Sequence, residues 1–308
     1  MLGFLRLLTA LVILAVVGSV TWWIIAPDRL PAETVAMLAD GDAVRGETMF
    51  IAGGCASCHA APDSTGEAHL ELGGGLVLKT DFGDFVVPNI SMHPVDGIGS
   101  WDAGDFGNAM LEGTSPGGQH YYPSFPWTSF ERMETQDVAD LWAYFQTLPP
   151  VEGPAASHDL AFPFNMRIGL GVWKTAFPSP DRAVEIDASD ALIARGQYIV
   201  EGPGHCGECH SPRNFGGAID YGRWLGGAPA ADGPGFVPNI TQGAGGLEGW
   251  SAGDIAYYLE SGFDTDFDSV GGSMVAVQEN MAKLSSEDRE AIAAYLIAIP
   301  PVDSEPRK

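Results

Sequence analysis

The four cysteines of this 308-residue chain constrain it more than any other feature. They fall as Cys55, Cys58, Cys206 and Cys209, two Cys-x-x-Cys pairs, and a histidine follows each pair at once, His59 and His210. A lone Cys-x-x-Cys serves as a redox disulfide or as half of a zinc site. Cys-x-x-Cys-His is the attachment signature of c-type haem. With 7 His in 308 residues, chance puts a histidine after a given pair about once in forty, so two such placements argue for haem. Two complete motifs with no cysteine left over predict two covalently bound haem c groups. Thioethers from each cysteine pair would hold the porphyrin edge, and His59 and His210 would reach the irons.

The motifs sit inside a duplication. Cys55, Cys58 and His59 recur 151 residues later, and Pro88-Asn89-Ile90 recurs 150 later as Pro238-Asn239-Ile240. Trp101, Asp105 and Gly113 recur as Trp250, Asp254 and Gly262. Asp137, Tyr144 and Pro149-Pro150-Val151 recur as Asp288, Tyr295 and Pro300-Pro301-Val302. Ordered self-similarity of this kind means two copies of one unit. The expected units are residues 38–151 and 188–308, the second with a C-terminal tail, joined by a packed strap over 152–187. The strap is too apolar for a flexible linker, so it packs across both units or docks a partner.

Each unit reads mainly as helix. A short helix leads into each haem motif, after Asp40 in the first copy and from Ala188 to Val200 in the second. A patterned helix closes each copy. In the second, Ser285 is the N-cap with Asp288 at N3 in a short-armed capping box, and Ile292, Tyr295, Leu296 and Ile299 follow at helical spacing before Pro300-Pro301. The stretches Gly73 to Val87 and Gly226 to Gly245 show no clear period.

Residues 1–37 have a different character. From Leu7 to Ala26 there is no charged residue, and 20 residues span about 30 Å as a helix, enough to cross a bilayer. Arg6 precedes the run and Trp22 and Trp23 lie near its far end. That pattern predicts a single-pass inner-membrane anchor with a cytoplasmic N-terminus and the remainder in the periplasm. A cleaved signal peptide is the competing reading. The formal net charge of -25, from 40 acidic and 15 basic residues, argues against nucleic-acid binding. It would instead steer a basic partner such as a soluble cytochrome c.

The run Arg195-Gly-Gln-Tyr-Ile-Val-Glu-Gly-Pro-Gly-His-Cys-Gly-Glu-Cys-His-Ser-Pro-Arg-Asn, the stretch Pro88 to Trp101 and the Phe162-Pro-Phe segment resemble the membrane-associated cytochrome c subunits of periplasmic alcohol and aldehyde dehydrogenases. The resemblance covers roughly residues 40–303. It implies a mainly α fold, two tandem cytochrome c class I-like domains after one N-terminal transmembrane helix. It also implies passage of electrons from a dehydrogenase to the respiratory chain. Those subunits typically carry three haems, and this chain holds two attachment motifs.

The resemblance carries a methionine sixth ligand to Met274, in Gly-Gly-Ser-Met before the last helix, with Met281 as the fallback. The first half breaks the pattern. Counting back 149 from Met274 reaches Phe125, where the family usually has methionine, and Phe cannot bind iron. Met133 and His120 are the candidates there, with another ligand or none as the remaining reading. Trp101 and Trp250 read as packing beside each haem, and His205 as a propionate partner or a loop residue. The leading function is electron transfer, not catalysis, from a dehydrogenase subunit or quinol-linked donor to an oxidase or small soluble cytochrome c. The alternatives are the dihaem subunit of a haem–copper oxidase and, if the first haem is open, a dihaem peroxidase.

Overall fold

Asp42 starts the repeated part of the fold. Its carboxylate accepts hydrogen bonds from the backbone N–H groups of Val44 (2.8 Å) and Arg45 (3.2 Å), which satisfies donors that a helix leaves unpaired. In the other half the equivalent cap is Asp190, bonded to Leu192 N–H at 2.8 Å. The second leading helix therefore begins three residues later than Ala188, because an Asx cap competes better for the helix start than the residues before it. The computed structural model describes residues 2–153, 156–230 and 235–304. Residues 154–155 of the expected strap and 305–308 of the tail lie outside the described residues.

Helix α1 (Leu2–Ile25) is followed by a single-turn-scale helix α2 (Ala32–Met37). Then comes a series of five: α3 (Ala43–Ala52), α4 (Cys55–His59), α5 (Ala103–Glu112), α6 (Trp127–Phe130) and α7 (Thr135–Phe145). After α8 (Gly169–Ala176) the series recurs as α9 (Ala191–Glu201), α10 (Gly207–His210), α11 (Ala252–Ser261), α12 (Met274–Met281) and α13 (Ser286–Ala298). Local chemistry recurs with it. Helices α5 and α11 both start in a capping box, Asp102 with Asp105 and Ser251 with Asp254, and both stop at a left-handed glycine, Gly113 (φ 55°) and Gly262 (φ 75°). Ser285 caps α13 by accepting from Asp288 N–H at 3.1 Å. The expected return arm from Asp288 is engaged elsewhere, because Arg195 holds that carboxylate at 2.8 Å and 3.2 Å.

The stretches without a sequence period contain short antiparallel strand pairs, and residues 231–234 of the second stretch lie outside the described residues. Strands β1 (Val77–Thr80), β2 (Gly83–Val86) and β3 (Asp159–Leu160) make one sheet, and β4 (Ala228–Pro229) pairs with β5 (Phe236–Val237). Strands of two to four residues are too short to show alternation.

Two apolar cores result. The first gathers Leu38, Met49, Phe50, Phe106, Met110, Phe130, Met133, Val138 and Leu141; the second gathers Ile199, Val200, Ile255, Leu259, Leu284, Ile292, Tyr295 and Leu296. In each half the leading and closing helices cross at a glycine. A Cβ on Gly46 would overlap the Asp140 carbonyl of α7, and one on Gly196 would overlap the Ala291 carbonyl of α13. Arg45 clamps the first crossing through the fully buried Asp140 (2.6 and 2.8 Å), whose Oδ1 also accepts from Asp42 N–H (2.7 Å) and Gln136 (3.0 Å).

The segment between the halves touches both. Trp173 Nε1 donates to Gly216 O (2.7 Å), Lys174 Nζ to Glu112 O (2.5 Å), and Arg167 to His120 O (3.0 Å). Its Phe162, Phe164, Met166, Ile168 and Val172 are exposed. Helix α1 contains a 23-residue stretch, Gly3–Ile25, long and apolar enough to cross a membrane, and none of that stretch is buried against the rest of the chain. Its end is bound down: His120 Nε2 donates to Ile25 O (2.9 Å) and Thr175 Oγ1 to Ile24 O (3.4 Å).

Gly196→Ala forces a methyl group into the facing backbone and lowers stability by about 1–3 kcal/mol, read as a shift of the denaturant midpoint at unchanged slope. Burial raises the Asp140 carboxyl, but Arg45, the Asp42 N–H and Gln136 outweigh it and hold its pKa below the usual 3.8. A lowered folded-state value means stability that is present above the unfolded carboxylate range and lost as pH falls through the folded value. Asp140→Asn therefore flattens the acid side of the stability curve below about pH 4, measured by unfolding at stepped pH.

Candidate functional site

The short helices α4 and α10 end in the two histidines. His59 Nδ1 lies 2.9 Å from Pro88 O, and His210 Nδ1 lies 2.7 Å from Pro238 O. A carbonyl only accepts, so each imidazole carries its proton on Nδ1 and keeps the Nε2 lone pair for a ligand. Burial pushes His59 down to about 4, against the raising effect of the Pro88 bond, and lowers His210 for the same reasons. Both rings are thus neutral at physiological pH, which is the form that binds a metal. This is the donor set that haem iron requires on its proximal face, with the orienting partner already present.

The Pro carbonyls are themselves held. Asn89 Nδ2 donates to Val151 O and Gly153 O, both at 2.9 Å, and its Oδ1 accepts from Ser91 N–H at 2.9 Å. Ser91 Oγ accepts from Val151 N–H at 2.9 Å. In the second half Asn239 Nδ2 donates to Val302 O (2.6 Å), Asn239 Oδ1 accepts from Thr241 N–H (2.8 Å), and Thr241 Oγ1 accepts from Val302 N–H (2.9 Å). The Asn-x-Ser/Thr unit staples each Pro loop to the Pro-Pro-Val segment after the closing helix. Beneath it run Gly74 N–H to His59 O (2.7 Å) and Gly227 N–H to His210 O (2.8 Å). Gly74 (φ 72°) and Gly227 (φ 83°) are left-handed and lie against the Pro loop backbone, where a side chain does not fit.

None of the four cysteines is disulfide-bonded. Cys55 and Cys206 are half-buried, and burial pushes both thiols up to about 12; Cys58 and Cys209 are exposed. Among the described residues no three His, Cys, Asp or Glu side chains converge on one point, so a zinc-type cluster is not built. Met274 is half-buried at the first position of α12, outside the second core, whereas Met281 lies inside that core. Met133 is buried in the first core. His120 is 4% exposed; its Nε2 is taken by Ile25 O, and its Nδ1 is buried without a hydrogen-bond partner. Trp101 and Trp250 pack against the two cores. His205 donates through Nε2 to Gly53 O (3.2 Å) and sets its ring edge-on to Phe130.

The attachment helices meet the opposite half. Ser57, between the first two cysteines, accepts from Asn280 Nδ2 of α12 at 2.8 Å. Glu208, between the second two, accepts from Thr128 (2.8 Å) and Ser129 (2.9 Å) of α6 and is paired with Arg213 at 2.6 Å. Ser57 and Glu208 are repeat equivalents, as are Ser129 and Asn280, each pair 151 apart. The seam is therefore reciprocal: each half's attachment helix is bonded to the other half's α6 or α12. Tyr198 OH to Asp137 adds a further bond across it. Sequence reasoning missed Asn89, Asn239, Ser91, Thr241, Ser57 and Asn280 as positioning residues. The recurrence of Pro-Asn-Ile was the available signal for the first two.

Comparison with known proteins gives a consistent result. The family described as cytochrome c matches residues 43–149, from α3 through α7. A protein described as diheme cytochrome c-type, from Cereibacter sphaeroides, is 53% identical over 97% of this chain and 99% of its own length. The cytochrome c subunit of alcohol dehydrogenase (quinone) from Gluconacetobacter polyoxogenes is 34% identical over 92% of this chain and 62% of that subunit. The fructose dehydrogenase cytochrome subunit of Gluconobacter japonicus is 33% identical over 83% of this chain and 52% of that subunit. The chain thus spans about half to three-fifths of these two dehydrogenase subunits.

Removing the staple tests its role. Asn89→Ala leaves the Gly153 carbonyl and the Ser91 N–H without their Asn89 partner and leaves Val151 O only the longer bond from Ser91 Oγ (3.3 Å), at a cost of about 1–3 kcal/mol. Asn239→Ala likewise strips the Thr241 N–H of its Asn239 acceptor and leaves Val302 O only the longer bond from Thr241 Oγ1 (3.3 Å). Each variant also broadens the imidazole signals of its own haem in paramagnetic NMR, while a variant at an exposed loop residue leaves them unchanged.

Proposed function

This chain belongs to the dihaem c-type cytochromes, and we propose that it is a membrane-anchored periplasmic carrier that takes single electrons from a dehydrogenase. Its cofactor is covalently bound haem c. Cys55 with Cys58, and Cys206 with Cys209, form the thioethers of two haems; His59 and His210 supply the proximal nitrogens, and Met274 supplies the sixth ligand of the second. The two haems lie in tandem class I-like domains, residues 38–151 and 188–308, after the anchor in residues 1–37 and around the strap of 152–187.

One-electron chemistry is what haem iron supplies when bound. The residues of this chain do the remainder. The Pro carbonyls fix the imidazoles, so His59 and His210 would offer a bound iron the same nitrogen in the same orientation throughout. The reciprocal seam holds α4 and α10 in one rigid arrangement, and this is the observation that carries the reading. Both Cys-x-x-Cys-His helices border that seam, which supports a relay from one site to the other without movement of the chain. The acidic surface favours a basic acceptor such as a small soluble cytochrome c, or an oxidase, through long-range attraction that salt screens. The dehydrogenase donor rests on the names of the relatives, and the exposed apolar strap residues offer that subunit a surface.

Three outcomes are expected. Acid–acetone treatment leaves the colour on the protein, and pyridine haemochrome counts two haems per chain; extractable haem overturns the reading. The full-length protein stays in the membrane fraction after a high-salt wash; an intact mass that begins after residue 19 overturns the anchor. Pull-down from membranes recovers a dehydrogenase whose substrate reduces both haems; reduction by a quinol alone, with no dehydrogenase recovered, replaces that donor.

A further inference from the structure

The distal loops of the two halves can be matched residue by residue because both ends of each are fixed. At the near end a β-bridge joins Thr114 to His120 in the first half and Phe263 to Ser269 in the second. Next to it Tyr121 N–H donates to Gly113 O (2.8 Å) and Val270 N–H to Gly262 O (2.7 Å). At the far end Trp127 packs over Gly113 and Gln278 against Gly262. Four residues beyond Tyr121 stands Phe125; four beyond Val270 stands Met274. The second loop has two more residues before its far anchor, and α12 uses them to start at Met274.

Phe125 brings no electron pair to an iron. Its ring sits edge-on to Tyr121 and to Phe130, both at 5.6 Å, and packs against the first core. The buried methionines of the first half stand where the second half has aliphatic core residues. Met49 matches Val200, Met110 matches Leu259 and Met133 matches Leu284, and all six lie in the two cores. Those positions make core, not ligands. Met92 lies on the loop that holds the Nδ1 side of His59. His120 stands at the Ser269 position, and its ring is pinned by the Ile25 carbonyl beneath Gly171.

We propose that the first haem keeps an open sixth position covered by Phe125, and that it binds small neutral diatomic ligands such as carbon monoxide. This rests on the dihaem reading above. The aromatic lid of Phe125, Tyr121 and Phe130 carries no charge of its own, the nearby Arg167 is stacked over Tyr122, and burying an unpaired anion against the lid is costly. The net charge of -25 also repels anions. Neutral diatomics meet neither barrier.

The test uses the detergent-solubilised full-length holoprotein with its haem counted on the same sample, so that a failed haem count is distinguishable from a closed site. Ferrous wild-type protein takes up one carbon monoxide per two haems, and ferric protein shows a high-spin signal from one haem. Met274→Ala raises uptake to two. Phe125→Ala speeds carbon monoxide association several-fold without changing uptake. Two low-spin haems with no uptake overturn the proposal; His120→Ala or Met133→Ala then opens one site and names the ligand. Uptake that Met274→Ala does not increase overturns it as well, because the open haem is then the second. An association rate indifferent to Phe125→Ala removes Phe125 as the lid.

Discussion

One hydrogen bond, repeated, sets the terms for this molecule: an imidazole N–H given to a proline carbonyl. It selects the tautomer, leaves the lone pair of the other nitrogen for a ligand and holds the ring in place. The bond is useful only if the carbonyl cannot move. That explains the construction around it: Asn89 and Asn239 across to the segment after the closing helix, Ser91 and Thr241 beside them, and Gly74 and Gly227 below. The crossing of leading and closing helices at Gly46 and Gly196 supplies the rigid frame to which those staples attach. Were these imidazoles to bind iron, as proposed, small errors in the frame would appear as strain at the metal.

The seam joins the two recurring helix series. Its paired contacts are not identical, since a hydroxyl in one half corresponds to a carboxylate in the other, and a serine to an asparagine. Each side still presents a donor to an acceptor. Glu208 is the more demanding member, because a carboxylate at the junction needs more partners than a hydroxyl, and Thr128, Ser129 and Arg213 provide them. Duplication followed by such divergence lets the two sites acquire different properties while the spacing between them stays fixed.

Much of this was legible in the residues. The mainly helical fold, the apolar N-terminal helix and the closing helices follow from short-range patterns. Phe125 at the position that matches Met274 was visible from the sequence repeat and from the family resemblance together. What the sequence hid is non-local. Asn89 finds its partners some 60 residues further on, and Ser57 pairs with Asn280 more than 200 residues away. No periodicity reports such contacts. The short hairpins were hidden for the opposite reason, since strands of two to four residues carry too little pattern. Asp288 misled because its carboxylate had two possible partners, and Arg195 holds it.

The junction beneath α1 has a consequence for how the molecule meets others. Ile24 and Ile25 are tied to Thr175 and His120, Leu30 N–H is bonded to Asn108 at 2.8 Å, and Leu38 is buried in the first core. A chain leaving a bilayer through a loose tether would let its cargo tumble and sweep a hemisphere above the lipid. The path from α1 into the body of this chain is braced. With α1 in a bilayer, the body keeps one face toward the lipid and one away from it, so encounters with membrane neighbours become a search in two dimensions at a set height. Partners free in solution would approach the same fixed pole every time.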